Sequence, residues 1–502
     1  MDGAAEIEQL RAVLAARNAD LAARDADLAA RDADLAARDA DLALERARRI
    51  ELEEQVAKLT EAVREMRELL GRNSSNSNKP PSSDPPGTGA GLPKRKKGKG
   101  GRRGGQKGHR GTHRALVAAE QVNDFVELFP HECESCWEPL PKTPDPLAKR
   151  YQYTELKPLA AHTTEYRRHA VVCPCCGYKT RAAYDPEVIP RFAFGPRLMA
   201  VVAMLTGVYH LSRRQAVRLL WELLGVRMSL GAVSAIEKRV AEAVEPAVDE
   251  AMAEARKSAI KHADGTSWLR AGAMLSLWVI ATTAVTVFKV LDDGKTKTLR
   301  AKLFGRVRGI LVSDRATTLM FWAMKRRQVC WAHLMRKFVS FSERDGPAGK
   351  IGKELLDYTS LLFDYWSRFR EGRMDRATLI ARMAPVRPRV EELLERGKAA
   401  KVRGLSGSCE DILQHRDALW TFIERDGIEP TNNHAERELR GFVLWRRRSF
   451  GSRSERGDQF AERMMTIAHT ARKQGRNVLA FLVACCAPRP AGTRAPSLLA
   501  AA

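Results

Sequence analysis

Three carboxylates stand in settings that suit metal-assisted phosphate chemistry: Asp264 in His-Ala-Asp-Gly-Thr-Ser-Trp, Asp314 in Gly-Ile-Leu-Val-Ser-Asp, and Glu436 in Asn-Asn-His-Ala-Glu-Arg. Each aspartate closes an apolar, strand-like run, and the glutamate lies one turn into an expected helix. Hard divalent cations take oxygen ligands, and Mg2+ needs only a few of them from protein. Two such ions on a phosphodiester activate the attacking oxygen and stabilise the leaving one. With 85 Lys and Arg against 61 Asp and Glu, a formal charge of +24, the phosphate polymer expected is nucleic acid. Taken singly, each carboxylate also fits a plainer role. Strand-end aspartates are common, and Asn433-x-x-Glu436 matches a helix capping box, with Asn432 the other candidate cap.

A second constellation is Cys133-Glu-Ser-Cys136 with Cys173-Pro-Cys-Cys176. Four thiolates from two Cys-x-x-Cys turns make the closed tetrahedral set of a structural Zn2+ site, with Cys175 and His131 as rival ligands. Such pairs favour metal binding in a reducing cytoplasm over disulfides. Between Lys94 and Arg114 there are ten Lys or Arg and no acid. Lys94, Arg95, Lys96, Lys97, Arg102, Arg103 and Lys107 are expected to follow a phosphate backbone; a solvated basic linker is the alternative. Arg437 and Arg440 either neutralise phosphates or form a solvated helix face, and Arg446, Arg447 and Arg448 form a further basic cluster. His333, in Cys330-Trp-Ala-His333, either orients the acidic site or packs as a core histidine.

The elements that must position these residues are legible in outline. Residues 1–72 read as a long helix with a heptad register from Ile7 to Leu70. Both seam positions are apolar near 50–70, a coiled coil through which the chain is expected to self-associate. The Leu-Ala-Ala-Arg-Asp-Ala-Asp repeat at 14–48 suits a lone helix held by Arg/Asp pairs. Residues 73–115 read as a disordered basic linker, and 116–190 as the zinc module, with strands at Tyr151–Leu156 and Thr163–Val172. Residues 191–255 are helical. Ser212 and Ser229 start helices around Gly225 with helix-turn-helix spacing, placing Arg213, Arg214 and Ala232–Lys238 toward DNA. Strands at Ala259–Ala263, Met274–Thr283, Val285–Leu291 and Gly309–Val312 then give way to a helical insertion at about 346–426 before Glu436. That order is a mixed-sheet α/β plan of ribonuclease-H type spanning 256–443. The 444–502 segment is basic, with one helix at 455–487 and a disordered Ala/Pro-rich end. No charge-free apolar run approaches the roughly 18 residues of a spanning helix, and no secretory signal is evident.

Several stretches together are family-specific: Asn73-Ser-Ser-Asn-Ser-Asn-Lys-Pro-Pro-Ser-Ser-Asp84, Gly104-Gly-Gln-Lys-Gly-His109, the two cysteine pairs, Leu211-Ser-Arg-Arg, His262-Ala-Asp-Gly-Thr, Leu311-Val-Ser-Asp314, Trp331-Ala-His333 and Asn432-Asn-His-Ala-Glu-Arg-Glu-Leu-Arg440. In that order the chain resembles the large transposase subunit of the insertion-sequence-sixty-six family, a group of DDE transposases. The resemblance implies a ribonuclease-H-like core with Asp264, Asp314 and Glu436 as a triad around two Mg2+ ions, for which Mn2+ substitutes. It implies cleavage of transposon ends, transfer of the freed 3′-hydroxyl into target DNA, accessory proteins from the same element, and a bacterial, nucleoid-associated setting. Two departures stand out: Gly265 follows the first aspartate where the family usually has Glu, and the 14–48 repeat is a local expansion. Two other functions fit the same residues, a decayed transposase acting as a DNA-binding repressor and a structure-specific nuclease.

Overall fold

Helix α1 (Gly3–Leu70) accounts for nearly all that is described of the first of two units, Met1–Ala90. The computed structural model describes residues 3–73, 76–77, 115–157, 159–185, 190, 192–488 and 493–499. Lys94, Arg95, Lys96, Lys97, Arg102, Arg103 and Lys107, with most of the expected linker, lie outside them. At 1.5 Å per residue, α1 is about 100 Å long. Its repeat is laced by Asp20–Arg24 (3.4 Å), Asp27–Arg31 (2.9 Å) and Asp34–Arg38 (3.0 Å), each one helical turn apart. The apolar row Ile7, Leu14, Leu21, Leu28, Leu35 and Leu42 is exposed along its length.

In the second unit, Gly91–Ala502, β1 (Ala170–Val172) and β2 (Lys179–Arg181) form a small hairpin around the second cysteine pair. The strand expected at Tyr151–Leu156 is absent, and Thr163–Val172 shrinks to three residues, because only the local hairpin supplies a partner. Helices α2 (Pro196–Ala203), α3 (Arg213–Leu224) and α4 (Leu230–Lys257) follow. Ser212 and Gln215 close a capping box at the start of α3, and Gly225 ends it in the left-handed region. Ser229 caps α4 by accepting from Ala232 N.

The next segment builds a sheet from β3 (Ile260–Arg270), β4 (Ala273–Ala281), β5 (Thr286–Leu291), β6 (Ile310–Ser313) and β7 (Arg327–Val329). Its order is β5-β4-β3-β6-β7; the first three are antiparallel neighbours, and β6 and β7 join in parallel. A mixed sheet of this kind is consistent with a ribonuclease-H-like core. The short helix α5 (Thr296–Leu299) lies in the β5–β6 crossover. Strand β3 runs seven residues past the expected end at Ala263, because residues 264–270 pair with β4 through a two-residue turn. Ala271 (φ 48°) and Gly272 (φ 91°) supply the two positive φ values which that hairpin requires.

Helices α6 (Trp331–Ser342), α7 (Gly346–Arg370), α8 (Arg376–Met383), α9 (Val386–Ala399), α10 (Ser406–Gln414), α11 (Arg416–Leu419) and α12 (Thr421–Glu424) share an apolar core with Val312 and Val329 of the sheet. Helix α13 (Asn433–Ser449) lies on β3 and β4, burying Ala435, Leu439 and Phe442 beside Trp268 and Phe288. One helix is expected at 455–487, but there are two, α14 (Glu455–Lys473) and α15 (Val478–Cys486), separated at Gly475 (φ 69°). Helix α14 covers edge strand β5: Glu462, Thr466 and Thr470, one per turn, accept from Val290 N, Phe288 N and Thr286 N. The end of the chain is not without structure. Ser497 Oγ donates to Glu250 Oε2 (2.6 Å), and Leu498 is fully buried.

Candidate active site

Strand β6 is almost wholly apolar and therefore buried, so its first polar follower, Asp314, emerges at its C-terminal end. The register pairs Ile260 with Ile310, Lys261 with Leu311 and His262 with Val312. Continued by two residues, the same offset sets Asp264 alongside Asp314. Asp314 is anchored through its backbone: its carbonyl accepts from Arg327 Nη2 (2.8 Å), and its Oδ1 accepts from Ala316 N (3.1 Å). Arg327 is fully buried on β7; burial lowers its pKa to about 10, so it remains a cation behind the site.

Glu436 arrives from the first turn of α13. Asn432 holds the start of that helix against the sheet, with Nδ2 donating to Ala263 O (2.9 Å) and N donating to Cys330 Sγ (3.1 Å). Asn432 occupies the N-cap position without capping through its side chain, and Asn433 is already helical and exposed, so the expected capping box is not formed. The side chain of Asn432 is committed to β3 instead. Cys330 N donates to Ser313 O (2.9 Å), and Trp331 N donates to Pro430 O (2.9 Å). The ends of β3 and β6 and the starts of α6 and α13 are thereby laced together.

The consequence is electrostatic. The partly buried Asp264 carboxyl has its pKa raised well above the usual range, first by burial, then by the negative charges of Asp314 and Glu436. Gly265 N–H (2.9 Å from Asp264 Oδ1) and the Arg336 charge oppose the shift without cancelling it. A buried carboxyl whose pKa is raised by two neighbouring carboxylates is poised for a cation. Glu436 Oε1 is buried with no hydrogen-bond partner; it lies 3.5 Å from His333 Nδ1, while Oε2 lies 3.8 Å from Arg336 Nη2. These oxygen donors fit a hard divalent ion.

Sequence reasoning missed Arg336, Arg327 and the use of Asn432. His333-x-x-Arg336 is helical spacing and was readable; nothing local marks Arg327, whose role depends on β6 and β7 being neighbours. Of the basic residues expected at DNA, Arg213, Arg214, Arg437, Arg440, Arg447 and Arg448 are exposed. Arg213 is also paired with Glu237 (2.5 Å), and the half-buried Arg446 donates to Thr266 Oγ1 (3.2 Å) and Ser267 Oγ (2.6 Å) on β3. In the Ala232–Lys238 segment, Val233, Ile236 and Glu237 are buried, leaving Ala235 and Lys238 exposed.

The two cysteine turns adopt one geometry. Cys133 N donates to Glu138 O and Trp137 N to Cys133 O; Cys173 N donates to Tyr178 O and Gly177 N to Cys173 O. Trp137 (φ 61°) and Gly177 (φ 73°) take the same left-handed position. Backbone N–H groups of Cys136 and Ser135 lower the Cys133 pKa, and those of Cys176 and Cys175 lower that of Cys173. Cys133 lies beside Cys136 and Cys173 beside Cys176, but the two pairs are not gathered into one ligand set. Among the described residues, the group so gathered is Cys330, His333 and Glu436, whose ligand atoms lie within 4.8 Å of each other.

Comparison with family models assigns residues 191–460 to the Transposase IS66 family. The chain belongs to that family. The matched IS66 region spans α3 and α4, the whole sheet, the helical insertion and α13, and with them Asp264, Asp314, His333 and Glu436. Residues 3–115 match a second model, described as a family of unknown function (DUF6444). No curated protein matches the chain. IS66 membership makes this a transposase-family protein, hence a DNA-processing and DNA-binding chain. Among the described residues, no helix is long and apolar enough to cross a membrane.

Position 265 has no room for a side chain. Gly265 pairs with Trp278 on β4, and a Cβ at 265 would lie 2.9 Å from Trp278 Cε2. The Trp278 ring fills the space that a larger residue would need. Gly265→Glu is therefore expected to cost about 1–3 kcal/mol of stability, the usual size of an overpacking penalty. Denaturant midpoints of the four proteins in a Gly265→Glu/Trp278→Ala cycle would reveal it, with a smaller loss in the Trp278→Ala background. Equal losses in both backgrounds would refute the steric explanation.

Proposed function

We propose that this chain is a DDE transposase that hydrolyses a phosphodiester at each transposon end and then uses the freed 3′-hydroxyl to attack target DNA. The observation that carries the reading is the electrostatic coupling of Asp264 to both Asp314 and Glu436, from segments far apart in sequence. Asp264, Asp314 and Glu436 would hold Mg2+ (two ions, or Mn2+ in its place), which supplies Lewis-acid activation of the attacking oxygen and neutralisation of the leaving one. Arg327 fixes the Asp314 backbone, Asn432 fixes the start of α13, and Arg336 and His333 orient the Glu436 carboxylate. The amide-rich starts of α6 and α13 favour a nearby phosphate. Exposed Arg437, Arg440, Arg447 and Arg448 on α13, Arg214 on α3 and the 94–107 basic tract would bind DNA backbone. No covalent protein–DNA intermediate is needed.

Domain roles follow the expected boundaries: 116–190 as a zinc module, 191–255 as a DNA-facing helical region, 256–443 as the catalytic domain. The matching geometry and lowered thiol pKa of the two cysteine turns support a structural Zn2+ ion on Cys133, Cys136, Cys173 and Cys176. The exposed apolar row of α1 supports self-association through that helix, as pairing of two ends requires. Deleting 1–70 is expected to lower the number of chains per particle found by light scattering, and an unchanged number would discard that role.

Incubation of the purified chain with end-containing DNA, Mg2+ and a target plasmid tests the reaction. Nicked ends together with joined products are expected, with the accessory proteins of the element supplied. Nicks without joining would instead favour a nuclease. Binding without either product, under all these additions, would favour a repressor.

A further inference from the structure

Glu436 Oε1 lies 3.5 Å from His333 Nδ1, and both atoms are buried without a hydrogen-bond partner. Cys330 completes a triangle of ligand atoms within 4.8 Å of one another. Orphaned buried polar atoms are costly, and the two on His333 and Glu436, converging beside the Cys330 thiol, call for a shared partner. From metal–nitrogen and metal–oxygen bonds near 2.1 Å, tetrahedral coordination of Zn2+ places two ligand atoms about 3.4 Å apart. The His333–Glu436 separation is close to that edge.

The donor types distinguish this triangle from the acidic cluster. A thiol and an imidazole suit a borderline-soft ion, whereas carboxylates alone suit Mg2+. Asn432 N–H donates to Cys330 Sγ (3.1 Å), the outer-shell contact that steadies a thiolate ligand. Burial pushes the unloaded Cys330 thiol up to about 12, so metal uptake must release its proton to solvent. Arg336, 3.8 Å from Glu436 Oε2, opposes a cation, while the thiolate and the glutamate together offset a dication.

We propose that Cys330 Sγ, His333 Nδ1 and Glu436 Oε1 form a second cation site, for a divalent metal of the Zn2+ class, that shares Glu436 with the acidic cluster. Three protein ligands leave a fourth position open. Occupancy withdraws Glu436 from Asp264 and Asp314, so the metal switches phosphoryl transfer off. This last consequence rests on the proposed transposase reaction; the binding itself does not.

The test uses the full chain, stripped with a chelator and titrated with Co2+ as a spectroscopic stand-in for Zn2+. The cysteine turns at 133–136 and 173–176 contribute their own thiolate-to-cobalt absorption, so the readout is the difference between variants. Wild type is expected to take up one more equivalent with a thiolate band than Cys330→Ser, and Zn2+ should displace it. His333→Gln should show the same loss, and Glu436→Gln at least a tenfold weaker affinity. Far-UV circular dichroism identifies any variant that fails to fold, and either of the other two then decides. Identical titrations of wild type and folded variants overturn the site. In the cleavage assay, one equivalent of Zn2+ per added site is expected to reduce wild-type turnover in Mg2+ at least tenfold and to spare Cys330→Ser. If Zn2+ binds but leaves turnover unchanged, the shared-carboxylate switch is wrong. A wild-type chain inert in Mg2+ without Zn2+, with the accessory proteins supplied, would sink the transposase reading while leaving the cobalt count to judge the site.

Discussion

Asp314→Asn is expected to slow cleavage of end-containing DNA by at least about 10³-fold, because an amide cannot hold the cation that stabilises both oxygens of the displacement. Asp264→Asn should do the same. Affinity for the DNA, measured at fixed salt, should change little, since the proposed backbone contacts lie elsewhere. Retained cleavage would overturn the assignment of these carboxylates. The same substitution has an opposite effect on stability, and this makes it more diagnostic. The folded-state pKa of Asp264 is raised, so the folded protein favours the protonated form. Stability is therefore lost as pH rises from the unfolded value through the folded one, and the deficit persists at neutral pH. Without metal, Asp264→Asn should melt higher than wild type, by the roughly 0.5–2 kcal/mol typical of relieving charge conflict. Adding Mg2+ should raise the wild-type melting temperature and narrow the gap. A metal-free variant less stable than wild type would contradict the picture of crowded carboxylates.

Glu438→Gln is expected to destabilise the fold by about 3 kcal/mol, the scale of breaking a buried charged cluster by removing one partner. Glu438 lies two residues beyond Glu436 on α13 but faces α14. Its oxygens contact Lys473 Nζ (3.2 Å), His434 Nε2 (3.6 Å) and His469 Nδ1. Burial alone would push its pKa up, yet the two histidines and Lys473 hold it well below the usual carboxylate range. A depressed acid contributes stability above the unfolded pKa and loses it as pH falls through the folded one. The difference between wild type and variant should thus be full at pH 7 and shrink below about pH 4.5. Denaturant melts at the two pH values measure it, and a pH-independent difference would exclude the charge cluster as its source. Because α13 also carries Glu436, the variant should lose cleavage activity along with stability.

How much of this was readable from the chain depends on the range of the forces involved. Helix α1 and its Asp/Arg pairs, the Ser212 cap, the two cysteine turns and the apolar runs of β4, β5 and β6 are set by neighbours within a few residues, so patterning found them. The end of β3 was misplaced, because Gly265 to Arg270 look polar and become a strand only by pairing with β4. Tyr151–Leu156 failed in the opposite sense: it has strand-like composition, but among the described residues it joins no sheet. The break at Gly475 was hidden because 455–487 is apolar-striped throughout, and only the left-handed φ divides it.

Legible in the chain are the identity and order of the chemical groups: three carboxylates in family-specific contexts, a Cys-x-x-His, two cysteine pairs and a strong basic excess. Their mutual relations arise only on folding. The offset between β3 and β6 sets Asp264 alongside Asp314; Asn432 ties α13 to Ala263; Arg213 pairs with Glu237 and Arg446 with β3; Trp278 excludes a side chain at 265. The reason is physical: side-chain period is a local property, whereas desolvation, like-charge crowding and steric exclusion exist only between surfaces that folding has brought together.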